Sequence, residues 1–158
     1  METSLKEELK FPVIDGQIVV CKPSYRNTTI PTIKGYLWEI HFQFAGPDNR
    51  YKDASTIISH NEVPQFISDL QMAYNKMVVL EKQNFSGELT KAVRSYPEPN
   101  LEIKCSGGSV RLLVWISNGN WRFSRSLSSE NVQSIIEKLE VIHEKGIQMI
   151  DTMVMLEE

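Results

Sequence analysis

Strict alternation of apolar and polar positions marks the clearest element of the chain. Across residues 36–44, Tyr36, Trp38, Ile40, Phe42 and Phe44 fall on one side. Leu37, Glu39, His41 and Gln43 fall on the other, the period of two that a half-buried strand requires. Residues 110–116 repeat the pattern, with Val110, Leu112, Val114 and Ile116 alternating with Arg111, Leu113 and Trp115. Shorter runs predict strands at 17–22, 25–30, 51–58, 88–96, 101–106 and 121–127. Turn chemistry separates them: Pro23, Pro31, the stretch 45–49, Pro97 and Pro99, and the pair Gly107 and Gly108. Asn118 followed by Gly119 is the strongest hairpin signal.

Two stretches change to a helical period. Val63, Phe66, Ile67, Leu70, Tyr74 and Met77 recur at three- and four-residue spacings, predicting a helix over 63–81. Val132, Ile135, Ile136, Leu139 and Ile142 form the matching stripe of a second helix that begins at Ser128 and runs to Lys145. Ser59 and Glu62 have capping-box spacing, while Pro64, tolerated only in a first turn, argues for a start nearer Asn61. After Gly146 comes a last apolar segment with Ile147, Met149, Ile150, Met153, Val154 and Leu156. It is too apolar to face water, which predicts packing on the other half or on a second copy, and so a homo-oligomer.

The two halves also align without a gap. Residues 58–70 laid over 127–139 match Ser59 with Ser128, Val63 with Val132, Ile67 with Ile136 and Leu70 with Leu139. Each segment follows a β-rich stretch built around a Trp-containing strand, so the chain reads as a duplication. The organisation expected is a polar leader at 1–15, a first β-β-β-β-α repeat at 16–86 and a second at 87–158 with a C-terminal apolar helical extension, all in one compact domain. The predicted class is α+β, with antiparallel sheets and the helices packed together on one side.

Composition sets the class of protein. At 158 residues, with 41% hydrophobic and 23% charged, the chain can bury a core and is not of disordered type. No apolar run approaches the ~20 residues of a membrane span. The first ten residues mix charges of both signs, unlike a secretory signal, so the expectation is cytoplasmic with no membrane partner. Cys21 and Cys105 belong to no Cys-x-x-Cys and are expected as buried free thiols, with a disulfide between them as the alternative and with no metal bound. The net charge of −3 is unevenly placed. Residues 88–127 hold six basic against three acidic side chains, whereas 128–158 hold two against seven. The β-rich parts are basic and the C-terminal helical part is acidic, a difference that concerns partners.

Catalytic chemistry finds no foothold in this pattern. His41, His60 and His143 have no sequence-local partner, and there is no phosphate loop, H-E-x-x-H or nucleophile elbow. Glu137, Glu140 and Glu144 lie along a solvated helix face. The expectation is a protein that is not an enzyme, with no cofactor and no catalytic residue.

Binding chemistry is better represented. If Val110, Leu112, Val114 and Ile116 face a helix, then Arg111, Leu113 and Trp115 face outward. In the flanking strands Trp121, Phe123 and Leu127 are expected inward, which leaves Arg122 and Lys104 on the same outer face as Trp115. Lys104, Arg111 and Arg122 around Trp115 supply cations for phosphates and a plane for bases, the ingredients of a single-strand platform. His41 and Tyr51 are the weaker counterparts in the first half.

Four strands and a helix, twice over, resembles the Whirly family and related dimeric transcriptional coactivators. Residues 109–116, the Asn118 and Gly119 turn, residues 121–123 and residues 127–132 carry the likeness. The resemblance implies outward-fanning sheets, a central helical layer, assembly into oligomers and binding of single-stranded DNA. The Lys-Gly-Lys type of segment found in plant Whirly strands is absent. The function expected is therefore non-catalytic binding of single-stranded DNA or RNA. The alternative is a small protein-binding inhibitor or adaptor of phage or mobile-element type, touching its partner through the acidic C-terminal region.

Overall fold

The computed structural model describes the backbone of residues 2–4, 8–13, 16–21, 24–28, 35–45 and 52–157, and the side chains of 38–44 and 54–156. The first sheet contains β1 (Glu2–Ser4), β2 (Glu8–Val13), β3 (Gly16–Cys21), β4 (Ser24–Thr28), β5 (Gly35–Ala45) and β6 (Lys52–Ser59). Helix α1 (Val63–Lys82) follows. The second sheet contains β7 (Leu89–Arg94), β8 (Asn100–Ser106), β9 (Ser109–Asn118) and β10 (Trp121–Leu127), and helix α2 (Ser129–Glu157) completes the chain. Two antiparallel sheets with two helices packed against them make the protein α+β, the class that the periodicities predict.

The second sheet is a simple meander in the order β10-β9-β8-β7. The first is less simple. β5 pairs with β6 on one edge and with both β3 and β4 on the other. Val20 faces Phe42 and Ser24 faces Glu39, so four steps along β3 and β4 match three along β5. The two strands therefore lie end to end along one edge of β5. Strands β1 and β2 pair outside β4 and β3. Six strands thus stand where four were expected, and two of them lie within the stretch read as a polar leader.

Alternation has the predicted consequence for packing. Trp38, Ile40, Phe42 and Phe44 of β5 are buried, as are Val110, Leu112, Val114 and Ile116 of β9. The helices cover them crosswise. α1 lies on β7, β8 and β9, while α2 reaches β5 as well as β9 and β10. The helices also touch each other, and Tyr74 Oη donates to Gln133 Oε1 at 3.1 Å. Leu70 and Leu139, from the two apolar stripes, are both buried in this shared core, where each such side chain contributes about 1.5–3 kcal/mol. Among the described residues, no helix is long and apolar enough to cross a membrane.

The helix starts differ from each other. At α1 the later start indicated by Pro64 holds: Glu62 is the N-cap, makes no side-chain cap bond, and leaves Pro64 in the first turn. The reciprocal box is at α2. Asn131 N donates to Ser128 Oγ at 3.2 Å, and Ser128 N donates back to Asn131 Oδ1 at 3.4 Å. α2 does not stop at Lys145 but continues unbroken through Gly146.

Candidate nucleic-acid interface

Hairpin geometry fixes the outer face of the second sheet. Gly107 and Gly108 join β8 to β9 with φ of 57° and 81°, a type I′ pattern open to glycine and costly for other residues. Gly119, with φ of 63°, opens the two-residue connection from β9 to β10. Its central pair is Gly119 and Asn120, one residue later than the sequence signal implied. These tight turns set the register in which Ser124 faces Trp115, Asn100 faces Trp115 and Lys104 faces Arg111. Paired residues share a face, so the outer surface carries Lys104, Arg111, Leu113 and Trp115 together, with Arg122 opposite Ser117 at its margin.

The four residues expected to meet nucleic acid in this half are therefore brought together. Lys104 is exposed and stands directly across the strands from Arg111. Arg111 is half-buried and held in place, its Nε donating to Ser126 Oγ at 2.9 Å and its Nη2 to the Ser126 carbonyl at 3.2 Å. Trp115 is half-buried, and the Arg122 guanidinium lies 4.8 Å from its ring centroid. Arg122 Nη2 also donates to Asn100 Oδ1 at 3.2 Å. The Trp115 ring thus has a cation over it. A groove of about 480 Å³ lies to one side of Trp115, lined by Lys104, Arg111, Leu113, Ser124 and Ser126. A second groove lies to the other side, lined by Ala92, Asn100, Glu102 and Arg122.

The first-half counterparts are less well placed. His41 is half-buried on β5 opposite Ile57, and neither groove beside Trp115 includes it. Tyr51 lies outside the described residues.

Several features were not foreseen. Trp121, expected inward, is 73% exposed, because it sits at the very start of β10 beside the turn. Tyr96, 87% exposed, stands in the connection between β7 and β8 at the same end of the sheet. The bond from Ser117 N to Glu98 Oε1, at 3.0 Å, ties that connection to the end of β9. Glu102 places one carboxylate on the outer face among the cations. A bulge between Ala92 and Arg94 turns Arg94 to the inner side, where its Nη1 donates to Asp69 Oδ2 at 2.8 Å. Arg94 Nε further bonds the Pro97 and Pro99 carbonyls at 2.9 and 3.1 Å.

The remaining titratable clusters belong to the core. Trp38 is flanked by His143 and His60, with ring centroids 5.2 and 5.9 Å away. Burial, and secondarily the neighbouring His60, hold the His143 imidazole below the ordinary histidine value. Burial pushes the Cys105 thiol up, and the cysteine is free. Among the described residues no group of three or more His, Cys, Asp or Glu is arranged to hold a metal ion.

Comparison with protein-family models, with curated proteins and with solved structures finds no match to this chain.

Proposed function

We propose that the protein binds single-stranded nucleic acid, without catalysis, on the outer face of β8, β9 and β10, in the manner of the Whirly proteins its repeated strand-and-helix pattern resembles. The observation that carries this reading is the apposition of Lys104 and Arg111 beside Trp115. Like charges directly opposite in a sheet destabilise it. A phosphate placed between them removes that repulsion, and bases of the same strand have the Trp115 and Arg122 stack at hand. A local rule broken on an open face, with no compensating carboxylate in the pair itself, is what a binding site leaves behind in the apo protein.

Tyr96, exposed at the same end of the sheet, adds an aromatic ring within reach of a strand that runs past Trp115 toward the turn end. Glu102 repels phosphate at one point, which favours a backbone that skirts it on the Lys104 and Arg111 side. The reading includes descent of the two halves from one duplicated unit, and self-association of the chain.

Fluorescence anisotropy with a labelled oligonucleotide of about 30 nucleotides, longer than the usual site per module, tests it. Binding that weakens as salt rises is expected. No binding below ~100 µM at low salt, where even non-specific electrostatic association is visible, overturns the proposal.

A further inference from the structure

The second sheet ends on β7, and its inner face is only partly covered there. Leu89 and Lys91 of β7 pair with Cys105 and Ile103, so they share the face on which α1 lies. Yet Leu89 and Lys91 are exposed, because α1 passes inside this edge strand. The result is an apolar groove with Val79, Leu80 and Leu89 as walls, Ile103 as floor and two cations, Lys76 and Lys91, along it. Met72, exposed on α1 one turn before Lys76, extends the same rim. From Met72 to Val79 is seven residues, about 10 Å of helix.

A surface of opposite character lies on α2. Its last turns pack Met149, Ile150 and Met153, each partly buried, against the core. The other side carries Ile147, Asp151, Val154 and Met155, spaced at 0, 4, 7 and 8 residues and therefore in one stripe. All four are exposed, Val154 at 41% and Met155 at 64%. Glu140 and Glu144 continue the stripe in the N-terminal direction. From Ile147 to Met155 is about 12 Å of helix, close to the length of the rim on α1. An apolar groove lined by two lysines and an exposed helix stripe that interleaves apolar side chains with carboxylates are matched in period, length and charge.

We infer that the exposed stripe of α2, from Ile147 to Met155, docks into the α1–β7 groove of a second copy of this chain. The stripe points away from the core its own helix buries, so a neighbouring molecule is the partner it can meet. Docking extends the helical layer over the open edge of the second sheet and covers the unpartnered side of β7. Asp151 and Glu144 of one copy then lie near Lys76 and Lys91 of the other. This inference rests on the proposed self-association and gives it a surface.

Sedimentation or light scattering of the full chain, from low micromolar to about 100 µM, provides the test. The wild type is expected at a mass at least twice the 18.1 kDa of the chain. Val79→Asp and Val154→Asp change exposed positions, and each is expected to lose the association with an unchanged circular dichroism spectrum. Lys76→Glu with Lys91→Glu, and Glu144→Lys with Asp151→Lys, should each be monomeric alone and re-associate when mixed. A monomeric wild type overturns self-association and the docking together. A wild-type oligomer that none of these variants disturbs overturns only the docking, as does a failure of the charge-reversed pair to re-associate.

Discussion

Gly146 of α2 rests against the indole of Trp38: a Cβ at position 146 would lie 2.7 Å from Trp38 Cε2 and 3.0 Å from Cδ2. Trp38 is fully buried, with histidine rings beside it, so its plane has little room to give. Replacing a glycine inside a helix by alanine normally stabilises by about 1 kcal/mol. Here overpacking opposes that gain and costs about 1–3 kcal/mol. Gly146→Ala is therefore expected to lower stability, read as an earlier urea midpoint with the same slope. A later midpoint would mean that α2 does not press on Trp38.

The same glycine accounts for one place where sequence reading went astray. A glycine after a helical stripe looks like a stop, whereas this one is a clearance, and its partner lies more than a hundred residues away in β5. What alternation governs was legible: Trp38 through Phe44 inward, and Lys104, Arg111 and Trp115 outward together. Non-local features were not. The bulge that turns Arg94 inward has no local signal, because a basic residue in a strand usually faces water. Trp121 has inward parity, but lies beside a turn beyond the helical cover, and parity alone cannot say where cover ends. Strands β1 and β2 take their place by pairing with β4 and β3, which the polar composition of the first residues does not announce.

His143 should make stability depend on pH. Its folded value lies below the 6.5 of a free histidine, chiefly through burial and then through His60, so the unfolded chain takes up its proton first. Stability is full above about pH 6.5 and falls as the pH drops toward the lowered folded value. Urea midpoints measured between pH 7.5 and 5.5 should therefore decline, and His143→Gln should flatten that decline. An unchanged slope in the variant would assign the loss to other groups.

Arg94 and Asp69 form a buried pair at 2.8 Å, with side-chain exposures of 2% and 12%. The Arg94 guanidinium also lies 5.1 Å from the centre of the Phe66 ring. Removing either partner leaves a charge without its mate, so Arg94→Ala or Asp69→Ala should cost about 3–5 kcal/mol. The double replacement Arg94→Met with Asp69→Leu should lose less than either single change. Recovery should be incomplete, because the Pro97 and Pro99 carbonyls lose their donor. A double variant less stable than both singles would contradict this account.

The outer face offers a test in which stability and binding move in opposite directions. Lys104 faces Arg111 across β8 and β9, and the Arg111 guanidinium is held on the β10 side by Ser126. Lys104→Thr removes one of two opposed cations and puts a strand-favouring residue in its place. It should raise the stability of the free protein by about 0.2–1 kcal/mol. The same change should weaken oligonucleotide binding and reduce its salt slope by about 0.7, one phosphate contact's worth for a single strand. Arg111→Ala should lower the slope by a similar amount. Trp115→Ala, which removes the ring beneath Arg122, should weaken binding by about 1–3 kcal/mol with little change in slope. Anisotropy titrations at several salt concentrations, set beside thermal melts of the same variants, measure both quantities. A Lys104 variant that is more stable and binds as tightly as the wild type would move the phosphate path away from this pair, toward Arg122.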